Sequence, residues 1–216
     1  MEREGVIKFD LRFTATAPVP PAWIEALNAW RTILHRLRLI GEDRARYGGV
    51  GFGNVSCRVP SGERGLFVVS GTQTGRYPVL DAEHYSIVTR ADVAANRLEA
   101  EGPVAPSSES LTHAMLYALD PRIVCVLHVH SPEIWRAAGR LGLPTTPADV
   151  AYGTPAMAEA VGRLHYERRL RGGLLVMLGH DDGVIAFGDS AEAAGRALIS
   201  TLEHAPALPL SESGRL

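Results

Sequence analysis

Two histidines separated by one residue close an apolar segment near the middle of the sequence. Residues 123–130 read Ile-Val-Cys-Val-Leu-His-Val-His, a β-branched run that is typical of a short buried strand. Alternate side chains of a strand point the same way, so His128 and His130 would project from one face, about 7 Å apart along the backbone. Both imidazoles would then reach one ion through bonds of about 2 Å. The pair predicts a metal site, and the alternative is two ordinary histidines at a strand end.

A carboxylate lies one predicted helix upstream of this pair. Pro106-Ser107-Ser108-Glu109 has the composition of a helix start, with a proline before it and serine as the cap. Glu109 would be favourable in a first helical turn for structural reasons alone. The same turn would also offer free N–H groups and two hydroxyls to a phosphate. The helix ends at Asp120-Pro121, directly before the histidine strand, so we expect Glu109 and the two histidines to lie near each other.

Two glycine-rich segments precede this carboxylate. Residues 48–58 carry several glycines before a predicted strand through Val55 and Val59, and residues 71–75 read Gly-Thr-Gln-Thr-Gly after a predicted strand over 66–70. Glycines let a backbone approach a ligand closely, and exposed N–H groups can cradle an anion. The first segment lacks the Gly-Lys-[Ser/Thr] ending of a P-loop, so by itself it favours an ordinary hairpin turn.

Helices and strands are mixed along the rest of the chain. A helix is predicted from Pro21 to Gly41, and its apolar residues are interpreted as core: Trp23, Ile24, Leu27, Trp30, Ile33, Leu34 and Leu37. The other predicted elements are strands at 85–89, 174–178 and 184–187, a loop at 94–106, and helices from Ser131, Thr154-Pro155 and Asp189-x-x-Glu192. Several strands are adjacent by hairpin, which favours a mixed sheet covered by helices over a doubly wound parallel sheet.

Composition restricts the class of protein. The chain has 216 residues, of which 46% are hydrophobic and 21% charged, and its net charge of -2 gives no indication of nucleic acid or an anionic membrane as partner. Cys57 and Cys125 without a C-x-x-C motif indicate neither a disulfide framework nor a thiolate zinc site. The first residues lack the apolar core of a signal peptide, and no window approaches the roughly 18–20 apolar residues of a membrane helix. We therefore expect a soluble, cytoplasmic protein.

Taken together, the motifs resemble the class II aldolase/adducin family, in particular its fuculose-phosphate aldolase branch. They follow the family's order over roughly residues 22–204: Gly53-Asn54-Val55-Ser56, Thr74-Gly75, Pro106-Ser107-Ser108-Glu109, His113, His128-Val129-His130-Ser131, Tyr152-Gly153-Thr154 and His180. The combination of Pro-Ser-Ser-Glu and His-x-His at this spacing is specific, whereas the Gly-Asn-Val-Ser turn alone is not. The corresponding division is an N-terminal arm over 1–20, a single class II aldolase/adducin-like domain over 21–205 and a flexible tail over 206–216.

The resemblance implies an α/β fold with three layers, α/β/α, around a central mixed, mostly antiparallel sheet. It implies one Zn²⁺ per subunit held by His128, His130, His180 and Glu109, with Glu109 also acting as the catalytic base. Another divalent transition metal would accept the same ligands. The positions that match the family's phosphate-holding residues are Gly53, Asn54, Thr74, Gly75, Ser107 and Ser108. Family members typically form tetramers, so a homo-oligomer is expected.

The activity that the resemblance implies is that of a metal-dependent aldolase-type lyase. Its substrate would be a small phosphorylated sugar, a ketose phosphate, that reacts through a metal-stabilised enediolate. One alternative is an epimerase or dehydratase of a sugar phosphate on the same metal site. A second alternative is a non-catalytic, adducin-like interaction module, against which the retained Glu109 and the three histidines argue.

The sequence departs from the family pattern around the predicted metal site. The segment between His130 and Gly153 is short and has no tyrosine before Tyr152, where sugar-phosphate aldolases carry a tyrosine thought to protonate the departing aldehyde. The C-terminal part is also short and has no tyrosine after Tyr166. We interpret Tyr152 as a packing residue, which leaves the proton donor unassigned.

The third histidine also has unusual neighbours. The family's Asn-His-Gly is replaced by Gly-His-Asp-Asp-Gly at residues 179–183. The added carboxylates of Asp181 and Asp182 would either form a hairpin turn or support His180 as an outer shell. The Asp-Asp-Gly composition favours the turn.

Overall fold

The computed structural model describes residues 5–60 and 66–205. In these ranges the strands are β1 (Asp10–Ala15), β2 (Gly41–Glu42), β3 (Gly51–Phe52), β4 (Asn54–Arg58), β5 (Phe67–Ser70), β6 (Tyr85–Asp92), β7 (Arg97–Gly102), β8 (Cys125–His130), β9 (Thr145–Thr146), β10 (Leu174–Met177) and β11 (Gly183–Gly188). The α-helices are α1 (Glu25–Arg36), α2 (Ser110–Leu119), α3 (Pro132–Ala137), α4 (Pro155–Tyr166) and α5 (Ala191–His204). Residues 1–4 of the predicted arm and all of the predicted tail lie outside the described residues.

One nine-stranded sheet forms the middle of the protein. Its strand order is β1-β7-β6-β5-β4-β8-β11-β10-β9, while β2 and β3 form a separate two-stranded ribbon. Only the two edge pairs, β1 with β7 and β10 with β9, are parallel. The remaining neighbours are antiparallel. The predicted mixed, mostly antiparallel sheet is therefore confirmed.

Helices cover both faces of this sheet, and β8 shows how the two faces differ. Leu127 and Val129 belong to a core cluster with apolar residues of α1, α3 and α5. Val126 belongs to a second cluster with residues of α2 and α4. Since side chains alternate along a strand, His128 and His130 project toward the α2 side together with Val126. The three-layer α/β/α arrangement is confirmed, and it directs both histidines toward the helix that follows Glu109.

The loop predicted over residues 94–106 is wrong, because this segment contains β7. Leu98 and Ala100 are buried on one face of β7, while charged residues alternate with them. The small Ala100 and Gly102 hide the period of two from a sequence reading. β1 pairs in parallel with β7 at the edge of the sheet, so part of the predicted N-terminal arm is a strand.

The starts of α1 and α5 also differ from expectation. A 3₁₀ turn over Pro21–Trp23 precedes α1, and Ile33 and Leu37, interpreted as core, are 41% and 48% exposed. The start predicted at Asp189-x-x-Glu192 is one residue early, because the side chain of Ser190 caps α5 by accepting a hydrogen bond from Ala193 N. No helix among the described residues is long and apolar enough to span a membrane.

Candidate metal centre and anion-binding pocket

The two histidines of β8 lie in the middle of the sheet. His128 is opposite Asn54 of β4 and Ile185 of β11, and His130 is opposite Gly183 of β11. Both histidine side chains are fully buried. The ring centroids are 5.1 Å apart, as expected for side chains two residues apart on one strand face.

The turn between β10 and β11 adds His180 to this pair. It is closed by hydrogen bonds from His180 N to Met177 O (3.1 Å) and from Gly183 N to His180 O (2.9 Å). A Cβ at residue 183 would approach the His180 ring to 3.1 Å, so glycine leaves room for the imidazole. One ring nitrogen from each of the three histidines lies within 4.8 Å of the others. Nitrogens around a tetrahedral zinc are about 3.3 Å apart, so small ring movements would let all three bind one ion.

The chemical state of the buried imidazoles suits a metal ligand. His128 Nδ1 donates to Val184 O at 3.2 Å, which places the ring's lone pair on Nε2, and this atom has no hydrogen-bond partner among residues 5–60 and 66–205. Burial, reinforced by neighbouring histidines, holds the pKa values of His128 and His130 well below their usual range. Both are therefore neutral near pH 7, the form that binds a metal. These residues fit a divalent transition metal, and their role as ligands stays a prediction.

Glu109, which lies at the start of α2 in the helical layer over this face of the sheet, completes the cluster. Glu109, rather than the serine predicted as the cap, lies at the cap position of α2, one residue before the helix starts, and it is 1% exposed. Its Oε1 is 3.7 Å from His180 Nδ1, and its Oε2 accepts a hydrogen bond from Thr112 Oγ1 at 3.3 Å. The bend before the helix is held by Ser107, whose Oγ accepts from Glu109 N and whose carbonyl accepts from Ser110 N. The structure thus brings all four predicted ligands together.

The six residues predicted to hold a phosphate line one small pocket beside this cluster. Three turns, at 51–54, 71–75 and 107–108, meet there, and the lining residues are Gly5, Gly51, Gly53, Asn54, Gly71, Thr72, Gln73, Thr74, Gly75, Ser107 and Ser108. Gly53 has a φ of +74°, and a Cβ there would meet Ile40 at 2.8 Å. A Cβ at Gly75 would collide with the carbonyl of Gly41. The glycines are therefore required by close packing of the turns.

The pocket and the candidate metal cluster share neighbouring residues. Asn54 lines the pocket and is the cross-strand neighbour of His128, and Ser108 precedes Glu109 in the chain. Asn54 is buried, and its Oδ1 has no hydrogen-bond partner within the described ranges. A ligand with an anionic end and nearby oxygens would therefore reach both places at once.

Aromatic residues that the sequence reading did not assign surround the histidines. The Tyr47 ring is 4.5 Å from that of His130 in an edge-on arrangement, and Phe52 lies 5.4 Å from the same ring. Tyr47 donates to Asp182 Oδ2 at 2.6 Å and accepts from Arg46 Nη2 at 2.7 Å. The Asp-Asp-Gly turn is present, and the Asp182 carboxylate faces Tyr47. In the sequence, the available indication of this contact is that Tyr47 directly precedes the glycine-rich segment 48–58.

Tyr152 lies against the candidate ligand His180. It is 3% exposed and its ring stacks on the imidazole at 4.4 Å and 22°. Lys8 Nζ lies 3.7 Å from the centroid of the Tyr152 ring and donates to the Tyr152 carbonyl at 3.0 Å. The interpretation as a packing residue agrees with this burial, and the packing is directed at the cluster.

His113, one turn after Glu109 on α2, lies in a buried polar network. Its Nδ1 is 2.7 Å from Ser56 Oγ, which is also 2.7 Å from the Tyr117 hydroxyl. Burial lowers the pKa of His113 to about 3, so this imidazole is neutral. It joins α2 to β4 rather than to the three-histidine cluster.

Comparison with solved structures shows the same fold. YgbL from Escherichia coli, described as a putative aldolase/epimerase/decarboxylase, has a TM-score of 0.62 and 19% identity, covering 86% of each chain. The L-fuculose-1-phosphate aldolase from Thermus thermophilus has a TM-score of 0.59 and 18% identity, covering 85% of this chain and 90% of that one. At such identities the likeness concerns the fold alone.

Comparison with sequences matches one segment of the chain to curated relatives and most of the chain to a family model. The methylthioribulose-1-phosphate dehydratase of Pseudomonas paraeruginosa is 41% identical over 78 residues, which is 36% of this chain and 34% of that protein. The matched part thus spans about a third of the relative. The family model of the class II aldolase and adducin N-terminal domain matches residues 40–207. The chain therefore belongs to the class II aldolase and adducin N-terminal domain family.

Proposed function

We propose that the protein is a metal-dependent lyase acting on a small ketose phosphate. One observation carries the proposal: the buried cluster of Glu109, His128, His130 and His180 adjoins a pocket formed by glycine, serine and threonine turns. Backbone N–H groups and hydroxyls of such turns bind a phosphate without a surface charge patch. A chain with a net charge of -2 needs this kind of local binding.

The three imidazoles and the carboxylate have the composition of a catalytic divalent-metal site with an exchangeable position. A divalent ion held there supplies Lewis-acid polarisation of the substrate's carbonyl and hydroxyl oxygens. The aromatic rings of Tyr47, Phe52 and Tyr152 pack around the imidazoles and restrict their orientation. The pocket residues would fix the phosphate, so that the sugar carbons extend toward Glu109.

Glu109 is the proposed proton carrier. Thr112 holds one carboxylate oxygen, and the other oxygen faces His180 at 3.7 Å. In a dehydration, Glu109 would take the proton from the carbon next to the substrate carbonyl and pass it to the hydroxyl that leaves the following carbon as water. In an aldol cleavage, it would take the proton of the hydroxyl on the far carbon of the breaking bond and deliver it to the carbon next to the carbonyl after the carbon–carbon bond breaks. One residue at one position thus serves either lyase reaction.

Aldol cleavage is the reaction we propose first, and dehydration is the second candidate. The specific observation in favour of dehydration is the name of the relatives that are 39–41% identical over 70 to 78 residues, methylthioribulose-1-phosphate dehydratase. The two reactions give different products from a ketose phosphate: two carbonyl fragments, or one dicarbonyl compound and water. An epimerase would return an isomer of unchanged mass.

The test is metal analysis followed by product analysis with a panel of ketose phosphates. We expect about one divalent ion per chain and turnover of at least one substrate. Glu109→Gln should retain the metal and lose turnover by about 10²–10⁴-fold. Glu203→Gln, which removes the same charge from an exposed residue of α5, is the matched control and should behave as the unmodified protein. Absence of bound metal together with no response to zinc, or full turnover by Glu109→Gln, would refute the proposal.

A further inference from the structure

Arg31 is a buried cation that pairs with no carboxylate in residues 5–60 and 66–205. It lies on α1 and is 1% exposed, and no carboxylate in the described part of the chain acts on its pKa. Buried charges are usually paired, since removal from water is costly. The hydrogen bonds of this guanidinium all go to backbone carbonyls of one turn: Nη1 donates to Tyr77 O and to Pro78 O (2.9 Å), and Nη2 donates to Thr74 O (3.2 Å) and Gly75 O (3.5 Å).

The guanidinium remains charged at neutral pH. Burial lowers the pKa of Arg31 only to about 10. His35, one helical turn later, contacts the Gly75 backbone, and burial together with Arg31 lowers its pKa below the usual value. Near pH 7 the charge behind this turn therefore belongs to Arg31.

The turn that Arg31 holds is a wall of the anion-binding pocket. In a trans peptide the carbonyl and the following N–H point in opposite directions. Because the carbonyls of Thr74 and Gly75 point at Arg31, the N–H groups of Gly75 and Arg76 point away from it. Neither N–H donates a hydrogen bond to an acceptor in the described part of the chain. Arg31 thus aligns peptide dipoles whose positive ends face outward beside the pocket lining of Thr74 and Gly75.

We propose that Arg31 is a specificity-determining residue that selects a phosphate over an uncharged group without touching it. The inference rests on the proposed function, in that it assigns a phosphate to this pocket. One hydrogen bond and one peptide unit separate the guanidinium from the pocket, a distance of about 8 Å. At that distance a buried positive charge attracts an anion and is poorly screened by salt. Arg31 acts through the turn and is therefore a positioning residue.

The test is titration of inorganic phosphate into the full-length, metal-loaded protein by calorimetry. Arg31→Gln should bind phosphate about 30-fold more weakly, while its metal content stays unchanged. Arg31→Lys restores the charge but only some of the hydrogen bonds to the carbonyls. Its phosphate affinity should therefore lie within about threefold of that of the unmodified protein, while its melting temperature stays below that of the unmodified protein. Arg36→Gln removes the same charge from the exposed side of α1 and serves as the matched control, with less than about a twofold effect expected.

The outcomes separate the two proposals. Phosphate affinity of Arg31→Gln within about threefold of the unmodified protein overturns the role of Arg31 and leaves the proposed function standing. No phosphate binding by the unmodified protein overturns the phosphate substrate itself. If Arg31→Gln does not fold, Arg31→Lys decides alone, because a loss of phosphate affinity of about tenfold or more in this charged variant overturns the inference.

Discussion

Tyr47 connects the glycine-rich segment to the turn that carries His180. Its hydroxyl donates to Asp182, its ring packs against His130, and its backbone has a φ of 49°. Burial and the Asp182 carboxylate raise the pKa of the phenol above its usual value, so it remains a hydrogen-bond donor at neutral pH. Of the two carboxylates that follow His180 in the chain, that of Asp182 therefore has a hydrogen-bond donor, the Tyr47 hydroxyl.

Tyr47→Phe should lower the free energy of unfolding by about 2 kcal/mol, because the Asp182 carboxylate loses its donor in a half-buried position. The ring packing on His130 is kept in this variant. Urea denaturation of metal-free protein measures the change. In a double-mutant cycle with Asp182→Asn the two losses should not add. Fully additive losses would show that the hydrogen bond contributes nothing.

The packing of α2 on β4 makes stability depend on pH. His113 has a pKa of about 3 in the folded protein and an ordinary value of 6.5 when unfolded. Between these values the unfolded chain binds more protons than the folded one, so stability falls as pH decreases from 6.5 toward 3. One such group contributes about 1.4 kcal/mol per pH unit in that window.

His113→Asn should therefore flatten the pH dependence of unfolding. The Asn amide can still meet Ser56 Oγ near the position of Nδ1, but it does not titrate. The free energy of unfolding, obtained from urea denaturation at about pH 6, 5 and 4, should change by about 1.4 kcal/mol less per pH unit than in the unmodified protein. Equal slopes in the two proteins would contradict the assignment.

At the scale of the whole molecule, the candidate metal cluster joins three separate parts of the chain. His128 and His130 come from β8, His180 from the β10–β11 turn, and Glu109 from the start of α2. An ion bound by all of them would stabilise the folded state over the unfolded chain, which lacks this arrangement.

Zinc at about 100 times its Kd should thus raise the free energy of unfolding by about 2.7 kcal/mol, with a higher Tm. His128→Ala should lose most of this response, since it removes the ligand whose tautomer is fixed by Val184. His204→Ala, an exposed histidine at the end of α5, is the control and should respond as the unmodified protein. An equal zinc response in His128→Ala would contradict a shared site.

Local patterns in the amino-acid sequence were enough to identify the buried histidine strand, the helix start at Glu109 and the polar glycine turns. These patterns are a short apolar, β-branched run, a proline and two serines before a helix, and backbone freedom at glycine. Local patterns did not predict β7, because its small residues conceal the alternation. They also placed Ile33 and Leu37 in the core, because helical spacing does not show which apolar stripe of a helix packs on the sheet.

Which distant residues meet depends instead on the packing of the folded chain. The partnership of Tyr47 with Asp182 spans 135 positions, and that of Arg31 with the carbonyls of Thr74 and Gly75 spans 43 and 44. Neither contact leaves a local pattern, because both depend on how the strands order in the sheet and on which face each helix covers. The residue types of the candidate metal ligands were readable from the sequence. The packing of the folded chain alone decided which groups orient these residues and that the buried Arg31 lies behind the turn at Thr74 and Gly75.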